Sequence, residues 1–219
     1  MRLSKEPTAG LAKYQTAGRY AGAVADQRIE KGRATRDRLV EAGRQAFGER
    51  GYDATSIAEI LDAAGAAKGA LYHHFDTKAA LFDAVLDRVV QELAEAAADQ
   101  ARRAGGPAEG LKAGCGAWLE STLDLGVQRI VLLDGAAVVG WARAREIDDR
   151  HTLSGMRHNL RLAAQSGGLD VDIDLLAHML LAAVNEAALF IVCADDPRAA
   201  LAVGRQAVDA LIDRLTARA

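Results

Sequence analysis

The sequence predicts an all-α protein of two parts, and three observations carry that expectation. Alanine is abundant, the only prolines are Pro7, Pro107 and Pro197, and aromatic residues make up 5% of the chain, a composition that favours helices over strands. From Thr35 onward, apolar residues recur at helical spacing through most segments. Between Thr55 and Lys78 two short apolar stripes flank a glycine-containing turn, which is the pattern of a helix-turn-helix. Half of the 219 residues are apolar, ample for a buried core.

Residues 1–32 mix Gly, Ala, Thr, Lys and Arg without sustained periodicity and read as a flexible basic extension. One role for it is an arm that reaches a DNA minor groove through Arg2, Lys5, Lys13, Arg19 and Arg28; the plainer alternative is a solvated tail. Residues 1–50 carry a net +5, leaving −8 for the rest, so the basic end is where nucleic acid would sit.

A first helix follows from about Thr35 to Arg50, with Leu39, Val40, Gly43, Ala46 and Phe47 on one face, and Gly51 stops it. Ser56 with Glu59 three residues on is a capping box that starts a second helix through Ile57, Ile60, Leu61 and Ala64, and Gly65 ends it. Leu71, Tyr72 and Phe75 mark a third. So short a unit cannot bury its own apolar face, and the helices on either side must close its core. The exposed side of the third helix then presents Lys68, Gly69, Tyr72 and His73, on a helix whose width suits the major groove.

Thr77 caps a long fourth helix with the stripe Leu81, Val85, Val89 and Leu93, running to about Arg103, and Gly105, Gly106 and Pro107 break the pattern. It is the obvious lever between two parts. Beyond it come Leu111 to Leu125, a partly apolar segment through Ala142, and an amphipathic stretch from about Asp148 to Gln165 ended by Gly167 and Gly168. Two strong helices close the chain, at about 173–194 and 197–216, started by Asp172 or Asp174 and by Pro197 after Asp196. Their apolar positions are too many for one face, and pairing with the same two helices of a second copy predicts a homodimer through a four-helix bundle.

The run Thr55, Ser56, Ile60, Ala64, Gly65, Lys68, Gly69, Leu71, Tyr72, His74, Phe75, Lys78 and Leu81 resembles the DNA-binding signature of the TetR family of bacterial transcriptional regulators. The resemblance spans about Arg36 to Val85, and Ile130 to Trp141 and Leu175 to Leu215 are more loosely similar to actinobacterial members. It implies a helix-turn-helix DNA-binding domain at 33–80 and an effector-binding and dimerisation domain at 81–219. It implies, further, a repressor that holds a palindromic double-stranded operator and is released by a small-molecule effector of unknown identity. The DNA-contacting set is then Thr35, Thr55, Ser56, Lys68, Gly69, Tyr72, His73 and Lys78, while Phe75 is core and His74 holds the unit together. The chain departs from the family pattern at Ala58, Leu61, Ala66, Ala67 and Ala70, so direct base reading rests on fewer polar side chains.

For an effector pocket, the candidates are polar or aromatic residues set among apolar ones: Trp118, Trp141, His151, His158, His178, Asn185 and Glu186. For each of them taken singly, packing or interface hydrogen bonding is the nearer alternative, because a buried polar group requires a partner whether or not a ligand exists. His151, His158 and His178 also raise the alternative of a transition-metal site, although no cofactor or metal is expected. Cys115 and Cys193 form no metal or redox spacing, and a reactive Cys115 acting as an oxidant sensor is the minor alternative. There is no phosphate-binding glycine loop and no Gly-x-Ser-x-Gly elbow, so the chain is not expected to be an enzyme. A ligand-scavenging helical protein is the rival of another class. The absence of a signal-like segment, and the polar His178, Asn185 and Glu186 inside the most apolar stretch, predict a cytoplasmic protein with no membrane partner.

Overall fold

The computed structural model describes residues 9–167 and 171–217, with side chains for residues 30–165 and 171–217. Among the described residues there are helices and no strand. The first helix, α1, spans Ala9–Arg50. Its start therefore lies well before Thr35, because the alanine-rich stretch after Pro7 holds no further proline, and isolated glycines weaken a helix without stopping it. The proposed minor-groove arm falls on residues whose side chains lie outside the described ones.

Helix α2 (Ile57–Ala64) has the expected capping box: the Ser56 hydroxyl accepts from the Glu59 amide, and the Glu59 carboxylate accepts from the Ser56 amide at 2.9 Å. Gly65 ends it in the left-handed region at φ 57°, where a side chain would be strained. Helix α3 (Lys68–His74) follows after the turn, and Thr77 caps α4 (Lys78–Arg103) by accepting from the Ala80 amide at 3.0 Å. Leu39, Phe47, Ile60, Leu71, Leu81 and Phe82 are wholly buried between these four helices. Phe47, Tyr52 and Phe82 pack ring against ring with centroids 5.1–5.9 Å apart, so the connection after α1 is pinned to α4.

The remaining helices are α5 (Pro107–Ser121), α6 (Leu125–Val127), α7 (Gly135–Val139), α8 (Trp141–His151), α9 (Leu153–Gly167), α10 (Ile173–Val192) and α11 (Pro197–Thr216). A π-helical stretch, Gln128–Leu133, joins α6 to α7, and the Asp134 amide donates to the Arg129 carbonyl at 2.8 Å. Asp172 caps α10 by accepting from the Leu175 amide, and Asp196 caps α11 ahead of Pro197. The amphipathic stretch expected as one helix is broken at Thr152. The break lets His151 meet Asp87 on α4 while Leu153 enters the core below.

Two cores result. The first extends from the α1–α4 bundle through Val89 and Val90 to Ile130 and Ile147. The second gathers Leu111, Leu119, Leu153, Leu160, Leu180, Val184, Ile191, Val208 and Ile212 from α5, α9, α10 and α11. By length and composition α10 is apolar enough to cross a membrane, but it buries Ala177, Leu180, Leu181, Val184, Ala188 and Ile191 in this core. Across the long α4, Arg143 of α8 grips Asp83 through two hydrogen bonds of 2.7 and 3.1 Å, and Arg150 and His151 hold Asp87 at 2.8 and 3.3 Å. Bidentate arginine pairs are geometrically specific, so α8 cannot move without pulling on α4.

Thr55 is buried, and its hydroxyl lies 2.7 Å from the Gly51 carbonyl and 3.0 Å from that of Ala46, at the end of α1. Replacing it by valine keeps the shape and removes the donor. Urea unfolding of Thr55→Val should show a loss of about 1–2 kcal/mol, and an unchanged midpoint would mean that this hydroxyl holds nothing.

Candidate nucleic-acid interface and effector cavity

The α3 face away from the core carries Lys68, Gly69, Tyr72 and His73, all exposed. The Lys68 ammonium stands 5.9 Å from the Tyr72 ring centroid, close enough to share one patch with it. A Cβ built on Gly69 would meet nothing within 4 Å, so this glycine serves no packing inside the chain and leaves room for a close approach from outside. Ser56 is exposed at the head of α2, although its hydroxyl is engaged by Glu59. His74 turns the other way: its ring lies over Gly32 of α1, and burial, with His73 and Arg36 nearby, lowers its pKa. Phe75 is buried under the Arg36 guanidinium, 5.2 Å from its ring centroid.

Three residues expected at DNA have other places. Thr35 sits inside α1, not at its start, and its hydroxyl donates to the Lys31 carbonyl at 2.9 Å, so no free helix-end amide is available there for a phosphate. Thr55 is buried, as described above. Lys78 donates to the carbonyls of Tyr52 and Thr55 at 2.8 and 3.0 Å and lies 4.2 Å from the Tyr52 ring centroid. Its charge is spent inside the fold.

The same Tyr52 links the bundle to the rest of the chain. Its amide donates to the Asp134 carboxylate at 2.7 Å, and Arg129 donates to the Gly48 carbonyl at 3.1 Å. A Cβ on Gly48 would come within 3.1 Å of the Gly126 backbone, so α1 and α6 touch closely at two glycines.

Two cavities lie beyond this junction. The larger, about 560 Å³, is enclosed by α4, α5, α9 and the α8–α9 break, with Ala97, Leu111, Trp118, Met156 and Leu181 among its walls and His151, His158 and Asn159 as polar groups. The smaller, about 300 Å³, lies between α4, the π-helical stretch, α8 and α10, and takes in Trp118, Trp141, Asp148, Asn185 and Glu186. Trp118, Thr152 and Leu181 line both. Five of the seven expected residues therefore fall on a cavity as wall groups: Trp118, His151, His158, Asn185 and Glu186. Trp141 is 81% exposed and can only form part of a mouth. His178 lines neither cavity and faces Asp149 at 3.6 Å. Among the described residues no group of three or more His, Cys, Asp or Glu side chains is placed to hold a metal ion. Burial pushes the Cys115 thiol up to about 12, which removes the thiolate that an oxidant sensor would need.

Residues 39–85 match the family model described as bacterial regulatory proteins of the tetR family, and residues 108–215 match that of the tetracyclin repressor-like C-terminal domain. The crystal structure of a TetR-family transcriptional regulator from Pectobacterium atrosepticum is 34% identical and aligns with a TM-score of 0.73, over 85% of this chain and 96% of that one. The chain belongs to the TetR family. It is similar to the HTH-type transcriptional regulator TtgR of Pseudomonas putida, 43% identical over 58 residues, or 26% of this chain and 28% of TtgR, so that match spans less than a third of either protein. The HTH-type transcriptional repressor AcnR of Corynebacterium jeikeium is 28% identical over 151 residues, 65% of this chain and 73% of AcnR. RolR in complex with resorcinol, 23% identical with a TM-score of 0.65 over 87% of this chain and 97% of that one, shares the fold.

Within this TetR-family chain, sequence reasoning missed Asp134, Thr152 and Asp148. The first two give no local signal, since their contacts are set by segments far away in sequence. Asp148 is a half-buried carboxylate with no hydrogen bond or ion pair among the described residues, and burial, then the neighbouring Asp149, push its pKa up to about 6. The folded chain thus holds this proton more tightly than the unfolded chain does. The resulting stability is fully present below the ordinary aspartate pKa and is lost as pH rises through about 6. Asp148→Asn abolishes that loss, so its melting temperature should exceed the wild type's at pH 7.5, by the equivalent of about 1–3 kcal/mol, and converge with it near pH 4. A gap independent of pH would show that the carboxylate is not desolvated.

Proposed function

We propose that this TetR-family regulator is a cytoplasmic, ligand-responsive repressor that binds a palindromic operator as a homodimer and is released by a small-molecule effector. In this reading residues 33–80 are the DNA-binding domain and 81–219 the effector-binding and dimerisation domain. The observation that carries it is the split character of α3, with Leu71 buried against the bundle and Lys68, Gly69, Tyr72 and His73 exposed, no other element covering them among the described residues. Lys68, His73 and the Tyr72 hydroxyl offer donors to phosphates and base edges, and Gly69 allows close approach. Repression is the sign we assign, in keeping with the name of AcnR.

Dimerisation is supported by the outer faces of the last two helices. Leu175, Met179 and Phe190 of α10 and Val203 and Leu211 of α11 are all exposed, large and apolar, while both helices already bury a second face in the core. Such a patch on a monomer calls for cover, and a two-fold copy of the same helices supplies it. The effector acts by binding more tightly to the dimer whose α3 helices are wrongly spaced for successive major grooves, and operator affinity falls by the same factor.

The test is binding of the purified protein, at fixed salt, to DNA from around its own gene and to unrelated DNA. A saturable preference is expected, lost by at least about tenfold in Lys68→Ala/Tyr72→Ala. Lys68→Ala alone should reduce the slope of log affinity against log salt by about one per protomer, whereas Lys78→Met should lower the melting temperature and leave that slope unchanged. Equal, salt-sensitive binding to every DNA, or a Lys78→Met slope change as large as that of Lys68→Ala, would count against this assignment.

A further inference from the structure

We infer that the smaller cavity is a receptor for a lipophilic organic cation, an apolar body carrying a protonated amine that docks between Asp148 of α8 and Asn185 of α10. The inference rests on the effector reading above and names the chemical class that the site takes. Its warrant is the polar inventory of the cavity. The lining contains two carboxylates, Asp148 and Glu186, and no lysine, arginine or histidine. Elsewhere on α8 and the adjoining face of α4 every such charge is matched, with Asp83 and Asp87 held by Arg143, Arg150 and His151. Asp148 is the exception, for Arg145 of the same helix offsets its charge only in part and makes no ion pair with it.

A second observation is independent of charge. Among the described residues three buried side-chain polar atoms lack a hydrogen-bond partner, and two of them, Asn185 Oδ1 and Trp118 Nε1, belong to residues lining this cavity. Buried polar atoms are nearly always partnered, so two unpartnered ones on residues of one cavity wall are groups that a small side-chain rotation would offer to a ligand. An ammonium group supplies donors to both the Asp148 carboxylate and Asn185 Oδ1. Trp118 also lines the larger cavity, so its indole N–H can donate to an acceptor oxygen further along the same molecule. The apolar remainder rests on Leu86, Val90 and Ile147. A carboxylate ligand in this position would face the like charges of Asp148 and Glu186 with no cationic side chain in the lining.

Occupancy here reaches the DNA-binding domain by a short route. Asp148 is on α8, whose Arg143 grips α4 at Asp83, and the π-helical stretch on the opposite wall leads directly into Asp134, which holds the Tyr52 amide.

The chain's two tryptophans, Trp118 and Trp141, both line this cavity and Trp118 lines the larger one as well, so intrinsic fluorescence reports binding and the Asp148 variants assign it to this site. The experiment titrates the full-length protein with phenylbutylamine, phenylbutanol and phenylbutyrate, which differ only at the head group. The amine should bind about tenfold or more tighter than the carboxylate, with the alcohol between them. Asp148→Asn should erase the preference for amine over alcohol, and Asp148→Glu should keep it, with retained melting transitions showing that both variants are folded. Phenylbutyrate binding as tightly as the amine, no saturable response to any of the three at millimolar concentration, or an amine preference that survives Asp148→Asn would each overturn the inference. An operator-release assay with the same compounds separates the two readings. Amine binding that obeys these rules without releasing DNA upholds the cation site and sinks the effector reading. Release by the carboxylate alone does the reverse.

Discussion

The structure turns on one side chain, Lys78. Its ammonium sits on the Tyr52 ring and ties together the carbonyls of Tyr52 and Thr55, the two residues where the chain leaves α1 and prepares to enter α2. Within that connection the Thr55 amide donates to the Tyr52 carbonyl at 3.3 Å, and carbonyls left short of donors are costly. The Lys78 ammonium at the head of α4 adds a donor to the carbonyls of both Tyr52 and Thr55 and simultaneously fixes α4 to the helix-turn-helix. With the Tyr52 amide bound to Asp134, the same few atoms also join the bundle to the π-helical stretch. The helix-turn-helix, α4 and the π-helical stretch thus meet around a single tyrosine.

The first core runs through this junction. Val89, Val90, Ile130 and Ile147 extend the DNA-binding core up α4 and under α8, so the cavity walls and the helix-turn-helix share packed side chains as well as hydrogen bonds. Packed interiors respond to a displaced wall by shifting between discrete arrangements, not by yielding continuously. Contacts run from α8 to α4 through the Arg143 pair and from the π-helical stretch to Tyr52 through Asp134, and these are the two routes by which a ligand would act in the proposed mechanism.

What could be read from the sequence was what is local. Ser56 with Glu59, Gly65, Thr77 and Asp196 with Pro197 each set a helix end with neighbours three or four residues away, and each lies where the sequence puts it. Leu71 and Phe75 fall inside and Tyr72 and His73 outside because helical periodicity alone decides that. The internal contacts of Thr55 and Lys78 are not legible in the sequence, because a buried threonine and an exposed one look alike until the carbonyls they serve are known. The place of Thr35 inside α1 is hidden because the alanine-rich run ahead of it carries no stop signal. Asp134 lies 82 residues from the amide it accepts, and Asp148 is conspicuous only through its missing partners, neither of which a local pattern encodes. Trp118, His151 and Asn185 stand out in the sequence because polar or aromatic groups among apolar neighbours are rare, and each lines a cavity, whereas His178, conspicuous on the same grounds, lines neither and faces Asp149.

The Asp134–Tyr52 bond fixes the helix-turn-helix to the π-helical stretch, and in the proposed dimer the distance between spin labels on the two copies of α2 reads its effect. A label at Ala63→Cys, exposed on α2, can be introduced once the exposed Cys193 is replaced by serine, since Cys115 is buried with its thiol pushed up to about 12. The account predicts a narrow distance distribution in this parent and a broadened or displaced one when Asp134→Ala is added, with the helix-turn-helix still folded. An unchanged narrow distribution in the Asp134→Ala protein would contradict it, and would place the control of head spacing in α4 alone.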